Sequence, residues 1–454
     1  MYMNRSLAPQ PQEKISFDIP QIEKITLQNN VELYFIKKAK LPIVQLILFS
    51  SSGSINDPLD KKGLAFLTSL LIDEGAAEYD ALQLNNELEK LGTISSINVN
   101  HDTFTFSLLS LKEYFERSLE LLSKIILEPR FEEKDFGREK KRMLDKILQL
   151  KDEPSYIAAS AFEKQLFGSA PYSFPEIGYE SSASQIVNND VINFYKNKFI
   201  QSNFSVIIVG NIEKEEAIEL LNKYLGKLNS SSLVKNDFVI RSEKRKRIFF
   251  VDKKESAQSE IRIGNLIKLR DSEDYYAARI MNTILGGQFS SRINLNLREK
   301  RGLTYGAGSS LNYYRSAGYF EISTAVNIKN TEEAVSELLN EINLIRHKIN
   351  DDEIDFAKSY LIKQFPSKFE TYSQVARNIS PLIVHNLPLD YYHKYEDAIA
   401  KVTKEEIHKA AIDYVLPDES IILVVGDKSI VQPQLFSLFG KELIELDIYG
   451  EEVK

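Results

Sequence analysis

The chain repeats itself, and that constrains its fold more than any other feature. FIQSNFSVIIVGNIEKEEA (Phe199–Ala217) and VLPDESIILVVGDKSIVQP (Val415–Pro433) follow one plan: a polar turn, a continuous apolar strand ending at Gly210 or Gly426, and a second polar turn. EYFERSLELLSKIILEPRFEEKDF (Glu113–Phe136) pairs with EEAVSELLNEINLIRHKINDDEIDF (Glu332–Phe356). Both give apolar residues at i, i+3/i+4 spacing, a short turn, an acidic helix start and a Phe. VELYFIKKAKLPIVQLILFSSSGS (Val31–Ser54) matches RIFFVDKKESAQSEIRIGN (Arg247–Asn265) as strand, charged turn, strand. The three matches keep one order at an offset of about 212–220 residues, which predicts two domains of one design.

We divide the 454 residues into a first domain, 1–228, a Ser-rich polar linker, 229–237, and a second domain, 238–454. Hairpin-forming strands interleave with helices without regular βαβ alternation. The expected class is therefore α+β: two similar domains, each an antiparallel-rich sheet covered by helices on one face, in a clamshell arrangement.

Composition removes several kinds of chemistry. The chain has no cysteine, which excludes disulfides, thiolate nucleophiles and Cys-ligated zinc. A formal charge of −8 argues against nucleic acid as a general partner; the one basic run, EKRKR (Glu243–Arg247), reads as a solvated strand end. No apolar run approaches the ~18 residues needed to span a bilayer. The opening MYMNRSLAPQPQEK lacks an apolar signal region and reads as an extended arm, leaving the compartment open between cytoplasm and periplasm. GAGSS (Gly306–Ser310) lacks the glycine and lysine pattern of a phosphate loop, and no GxSxG elbow occurs. The five histidines (His101, His347, His385, His393, His408) never stand at i, i+4, so none forms a metal-binding helix pair. From the residues alone, no self-sufficient active site is visible.

GLAFLTSLLIDEGA (Gly63–Ala76) resembles the zinc helix of the pitrilysin/insulinase family of metallopeptidases, whose signature is H-x-x-E-H. The resemblance lays the first histidine on Phe66, the glutamate on Ser69, the second histidine on Leu70, and the third ligand, about 76 residues downstream, on Lys146. Two hydrocarbons, a hydroxyl and an ammonium therefore stand where a metal site would need lone pairs and a base, and no metal is expected in this chain. NTILGGQFSSRINLNLREKRGLTYGAGSS is the second match; it carries Arg298 and Tyr305 at the spacing of the family's substrate-binding Arg/Tyr pair. Without the resemblance Arg298 is a solvated helix end and Tyr305 a strand aromatic. Gly286 and Gly287, ahead of that helix, read as a close approach of chain to chain or as a plain turn.

The resemblance implies the non-zinc subunit of a heterodimeric peptidase. Arg298 and Tyr305 would bind peptide and steady an oxyanion in a site whose zinc belongs to a homologous HxxEH-bearing partner. Peptide would add as a strand to a sheet edge. The reading from a different class is an inert structural subunit of a larger complex, a role also found in the family.

Overall fold

The computed structural model describes residues 19–228, 230, 238, 240 and 246–453. The N-terminal arm, the linker apart from Ser230, and Glu243–Arg245 lie outside the described residues.

Two six-stranded sheets dominate. The first holds β1 (Glu23–Thr26), β2 (Glu32–Lys37), β3 (Ile43–Ser50), β4 (Ile94–Val99), β5 (Phe104–Leu111) and β6 (Phe204–Gly210), in the order β1-β2-β6-β3-β5-β4. The second holds β7 (Arg247–Asp252), β8 (Gln258–Ile267), β9 (Ala307–Tyr314), β10 (Ala317–Asn327), β11 (Ile421–Gly426) and β12 (Leu443–Leu446), in the order β9-β10-β8-β11-β7-β12. Read from opposite ends the orders correspond strand for strand. β6 and β11, the repeated apolar strands, run parallel to β2 and β7 and antiparallel to β3 and β8. One difference sits at an edge: β1 precedes its neighbour and pairs antiparallel, whereas β12 closes the chain and pairs parallel.

Each domain's own helices cover one face of its sheet. In the first half, α1 (Leu64–Leu71), α2 (Phe115–Leu127), α3 (Glu133–Leu150) and, after a further helix α4 (Pro154–Phe167), α5 (Lys214–Leu225) are introduced in chain order. α1, α2, α3 and α5 bury Leu67, Leu122, Met143 and Leu221 with Leu33, Leu46, Phe106 and Ile208 of the strands. In the second half, α6 (Tyr275–Leu285), α7 (Thr331–His347), α8 (Asp351–Gln364), α9 (Tyr372–Val384), α10 (Lys404–Tyr414) and α11 (Lys428–Phe439) follow.

The opposite face of each sheet is closed by a helix from the other half. α4 belongs to the first half, yet its Ile157, Ala158, Ala161 and Phe162 pack with Phe249, Val251, Leu423 and Val425 of the second sheet. α9 belongs to the second half and presents Val375, Ala376 and Ile379 to a core that includes Tyr34, Ile47, Ile207 and Val209 of the first sheet. Strand alternation makes this exchange necessary. Tyr34, Ile36, Ile47 and Phe49 point away from the domain's own helices, and leaving them in water would cost roughly 25 cal/mol for each Å² of apolar surface. Gly264 on β8 lets α4 approach, because a Cβ there would stand 2.9 Å from Cζ of Phe162 and 2.0 Å from the Phe320 carbonyl oxygen.

Polar contacts fix the two halves in register. Ser373 on α9 donates to Oε1 of buried Gln45 at 2.7 Å, and the Leu41 amide donates to the Tyr372 hydroxyl at 2.8 Å. At the far side the β9–β10 turn enters the first domain. The Arg315 amide donates to Oδ2 of Asp102 at 2.8 Å and its guanidinium to the Asp102 carbonyl at 2.9 Å. The Tyr172 hydroxyl donates to the other Asp102 oxygen at 2.8 Å, and the Tyr172 and Tyr314 rings stack 4.4 Å apart. Among the described residues, no helix is long and apolar enough to cross a membrane.

Candidate functional site

α1 begins where Asp57 gathers its free amides. The carboxylate accepts from the Gly63 amide at 2.9 Å and the Ala65 amide at 2.8 Å, satisfying donors that the helix leaves open. Gly63 sits at φ 97°, and a Cβ there would meet the Ile177 carbonyl oxygen at 2.4 Å; only glycine fits. Burial pushes the Asp57 carboxyl up to about 7, against the pull of the Ala65 and Gly63 amides and Lys62. Its proton is held more tightly folded than unfolded, so this group's contribution is full below its unfolded value near 4 and is lost as pH rises towards 7. We expect Asp57→Asn to flatten the fall of melting temperature between pH 4 and pH 7. Any cost of the substitution should therefore be larger at pH 4 than at pH 8, because Asn keeps one cap acceptor and carries no charge to bury as pH rises. Thermal melts across that range check both signs.

On α1, Phe66 and Leu70 stand four residues apart on one helix face and are half-buried, packed on the first domain's core. Ser69 is buried, and its hydroxyl donates back to the Phe66 carbonyl at 2.7 Å. α1 packs against α3, the helix that carries Lys146, whose side chain is exposed. Three nearby carboxylates are engaged: Arg138 reaches Glu74, Asp135 and Glu139, and Arg142 donates to Glu139 at 3.3 Å. Among the described residues no group of three or more His, Asp or Glu side chains is placed to hold a metal ion. The side chains at the four positions do not fit zinc. Two are hydrocarbon, one is a hydroxyl committed to its own helix, and one is a cation.

The second half of the candidate site is built on the segment after α6. Gly286 and Gly287 make the close approach expected of them. A Cβ on Gly286 would lie 2.4 Å from the Ser309 amide of β9, which donates to the Gly286 carbonyl at 3.0 Å. This seats a widened helical turn, Leu295–Lys300, in which Leu297 is buried and Arg298 turns outward. Beyond it Leu303 is buried, and Thr304 donates to the Ala325 carbonyl at 2.7 Å. Those two anchors throw Tyr305 into solvent, where it is 92% exposed.

Arg301, three residues from Arg298, is locked to Glu333 and Glu337 at 2.7 Å each. Arg298 is not. Its side chain is 38% exposed, its one ion-pair neighbour among the described residues is adjacent Glu299 at 3.5 Å, and its guanidinium carbon lies 4.6 Å from the ring centroid of Phe289. Phe289 is itself 61% exposed. Sequence reasoning did not single it out, although an aromatic two residues after a Gly-Gly pair was the available signal. It also passed over Asp57, whose partners are amides at the start of α1, and Arg315, whose partner Asp102 is 213 residues away. The structure therefore gives Arg298 and Tyr305 free donor groups on one exposed segment of the second domain, and gives Phe66, Ser69, Leu70 and Lys146 a packed helix pair in the first.

A sheet of six strands repeated twice, a metallopeptidase helix whose ligand positions are apolar or cationic, and an Arg/Tyr segment in the second half define an inactive-type homologue of a zinc peptidase. The model of the family described as insulinase, peptidase family M16, matches residues 34–175, and that of the peptidase M16 inactive domain matches residues 185–361. The chain belongs to the M16 family. Among its relatives, the non-peptidase homolog YmxG of Helicobacter pylori is 23% identical over 390 residues, 82% of this chain and 89% of that one. The probable inactive metalloprotease YmfF of Bacillus subtilis is 21% identical over 83% of this chain and 92% of its own length. The fold is shared with a peptidase M16 inactive domain from Pseudomonas fluorescens, with a TM-score of 0.83 at 23% identity, covering 89% of this chain and 98% of that one.

Proposed function

We propose that this chain is the non-zinc subunit of a heterodimeric M16 peptidase. In this reading Arg298 and Tyr305 act in trans on peptide bound at a partner's HxxEH site. The observation that carries it is the freedom of the pair. Tyr305 is almost wholly exposed and Arg298 holds no distant carboxylate among the described residues, while neighbouring Arg301 and Thr304 are tied down. Side chains kept for the stability of this chain would be packed or paired. The two groups have the chemistry this role requires. A guanidinium presents a fixed fork of donors to peptide carbonyls, and a phenol hydroxyl can donate to the oxyanion of a tetrahedral intermediate.

Zinc, in this reading, belongs to the partner. The chain is purified alone and with an HxxEH-bearing homologue, and cleavage of a fluorogenic peptide library is followed with and without chelator. Activity in the pair only is the expected result; chelator-sensitive cleavage by the isolated chain contradicts the proposal. A complementary expectation concerns the degenerate helix. Replacing Phe66 by His, Ser69 by Glu, Leu70 by His and Lys146 by Glu together should give a chain that retains about one zinc per molecule by metal analysis. The parent chain should retain none.

A further inference from the structure

Four basic side chains converge beside the N-terminal end of α6. Arg270, in the turn before that helix, lays its guanidinium 3.3 Å from the ring centroid of Tyr275, with Tyr391 at 5.1 Å and Tyr313 at 5.9 Å. It donates to the Tyr391 hydroxyl at 2.7 Å. His385, at the end of α9, meets the Tyr313 ring edge-on at 6.4 Å. Arg279 lies one turn along α6 from Tyr275. Lys368 stands on the turn Phe365–Phe369, whose Phe369 ring contacts Tyr392 at 5.3 Å, and Tyr392 contacts Tyr391 at 5.2 Å. All four basic residues are half-buried, lining a surface that solvent reaches.

No acid balances them. Among the described residues, none of the four forms an ion pair. The carboxylates acting on His385 at a distance are Asp102, already held by Arg315 and Tyr172, and exposed Asp271. The Tyr313 hydroxyl, in the same wall, is buried with no hydrogen-bond partner. Burial, reinforced by Arg279 and Arg270, holds the Lys368 ammonium below its usual range; burial and Arg270 push His385 down to about 4, so its imidazole is neutral at pH 7. Like charges gathered on a half-buried surface without paired acids oppose folding. Their persistence in a chain of net charge −8 points to an anion that completes them.

We propose that the tyrosine-walled cluster of Arg270, Arg279, Lys368 and His385 is a binding site for a phosphoryl group. Two guanidinium forks, an ammonium, an imidazole N–H and an orphaned phenol offer more donors than the two oxygens of a carboxylate can accept. The three oxygens and near double negative charge of a phosphoryl group match both the donor count and the three fixed positive charges.

The site is a property of this chain alone and does not depend on a peptidase partner. Calorimetric titration of the full-length chain, in phosphate-free buffer at low salt, tests it with inorganic phosphate, tripolyphosphate and adenosine triphosphate. We expect tripolyphosphate to bind, and Arg279→Gln and Lys368→Met each to weaken it by about tenfold or more. Arg279 has no partner to lose, so unliganded Arg279→Gln should melt no lower than the parent chain. Adenosine triphosphate binding more tightly than tripolyphosphate would identify a nucleotide as the source of the phosphoryl group; equal affinity would identify the phosphate chain alone. Absence of binding at millimolar concentration overturns the proposal. Binding untouched by both variants overturns it as well, as does a dicarboxylate that binds as tightly as tripolyphosphate.

Discussion

On the proposed function, replacing Tyr305 by Phe is expected to lower the peptide-cleaving kcat of the assembled pair by roughly 100- to 1,000-fold, the usual consequence of deleting one oxyanion donor, while leaving assembly intact. The substitution removes a single hydroxyl from a side chain that is 92% exposed, so the melting temperature of the chain should not move measurably. That combination is what separates a donor acting in trans from a structural residue. Arg298→Lys is the companion variant. It keeps the charge and gives up the fork, so it should raise KM more than it lowers kcat. Steady-state kinetics on the complex, with melts of the isolated variants, check both. Full activity of the Tyr305→Phe complex would sink the reading.

The largest stability effect is expected at Phe162. This ring is fully buried, lies in contact with the strand glycine Gly264, and sits 6.4 Å from the Tyr319 ring. Truncation to Ala should cost about 3–5 kcal/mol in the free energy of unfolding. Because α4 is covalently part of the first half and packed on the second sheet, the loss should move one shared transition in urea rather than split it in two. Leu82→Ala, at a side chain that is 70% exposed, should shift the midpoint by no more than about 0.5 kcal/mol. Two separate transitions in Phe162→Ala would mean that the exchanged helices do not couple the domains.

Much of this was readable in the residues. The apolar strands ending at Gly210 and Gly426 became β6 and β11, each inside its sheet beside the strands of the repeated hairpin, because a continuous apolar run must be buried on both faces. The α+β class followed from the same pattern; helices over one face only did not hold, because α4 and α9 close the opposite faces. The shape of the helix at Gly63 and its lack of metal-binding groups were equally visible, since Phe66, Ser69, Leu70 and Lys146 are what they are in any fold. The Gly286–Gly287 approach was visible only as one of two readings, and contact with Ser309 decides between them. Asp57, Arg315 and the Arg270 cluster carried no local signal. Arg315 meets Asp102 from 213 residues away and Arg270 meets Tyr391 from 121, beyond any local window; Asp57 lies only 6 residues from Gly63, but its role depends on the turn that folds it back onto the helix start.

The amino-acid sequence by itself determined that two copies of one α+β unit would form, and that the first would hold a peptidase-like helix without ligands for zinc. Periodicity, glycine placement and side-chain chemistry are local properties, and local properties suffice for both statements. Tertiary structure alone decided that α4 and α9 cross to the opposite sheets, that Tyr305 is thrown into solvent while nearby Leu303 is buried, and that three cations and a histidine meet among tyrosines with no ion-paired acid among the described residues. Each depends on which faces remain uncovered once the sheets have formed. That is settled by competition among all the surfaces of the chain for burial, and no single segment encodes its outcome.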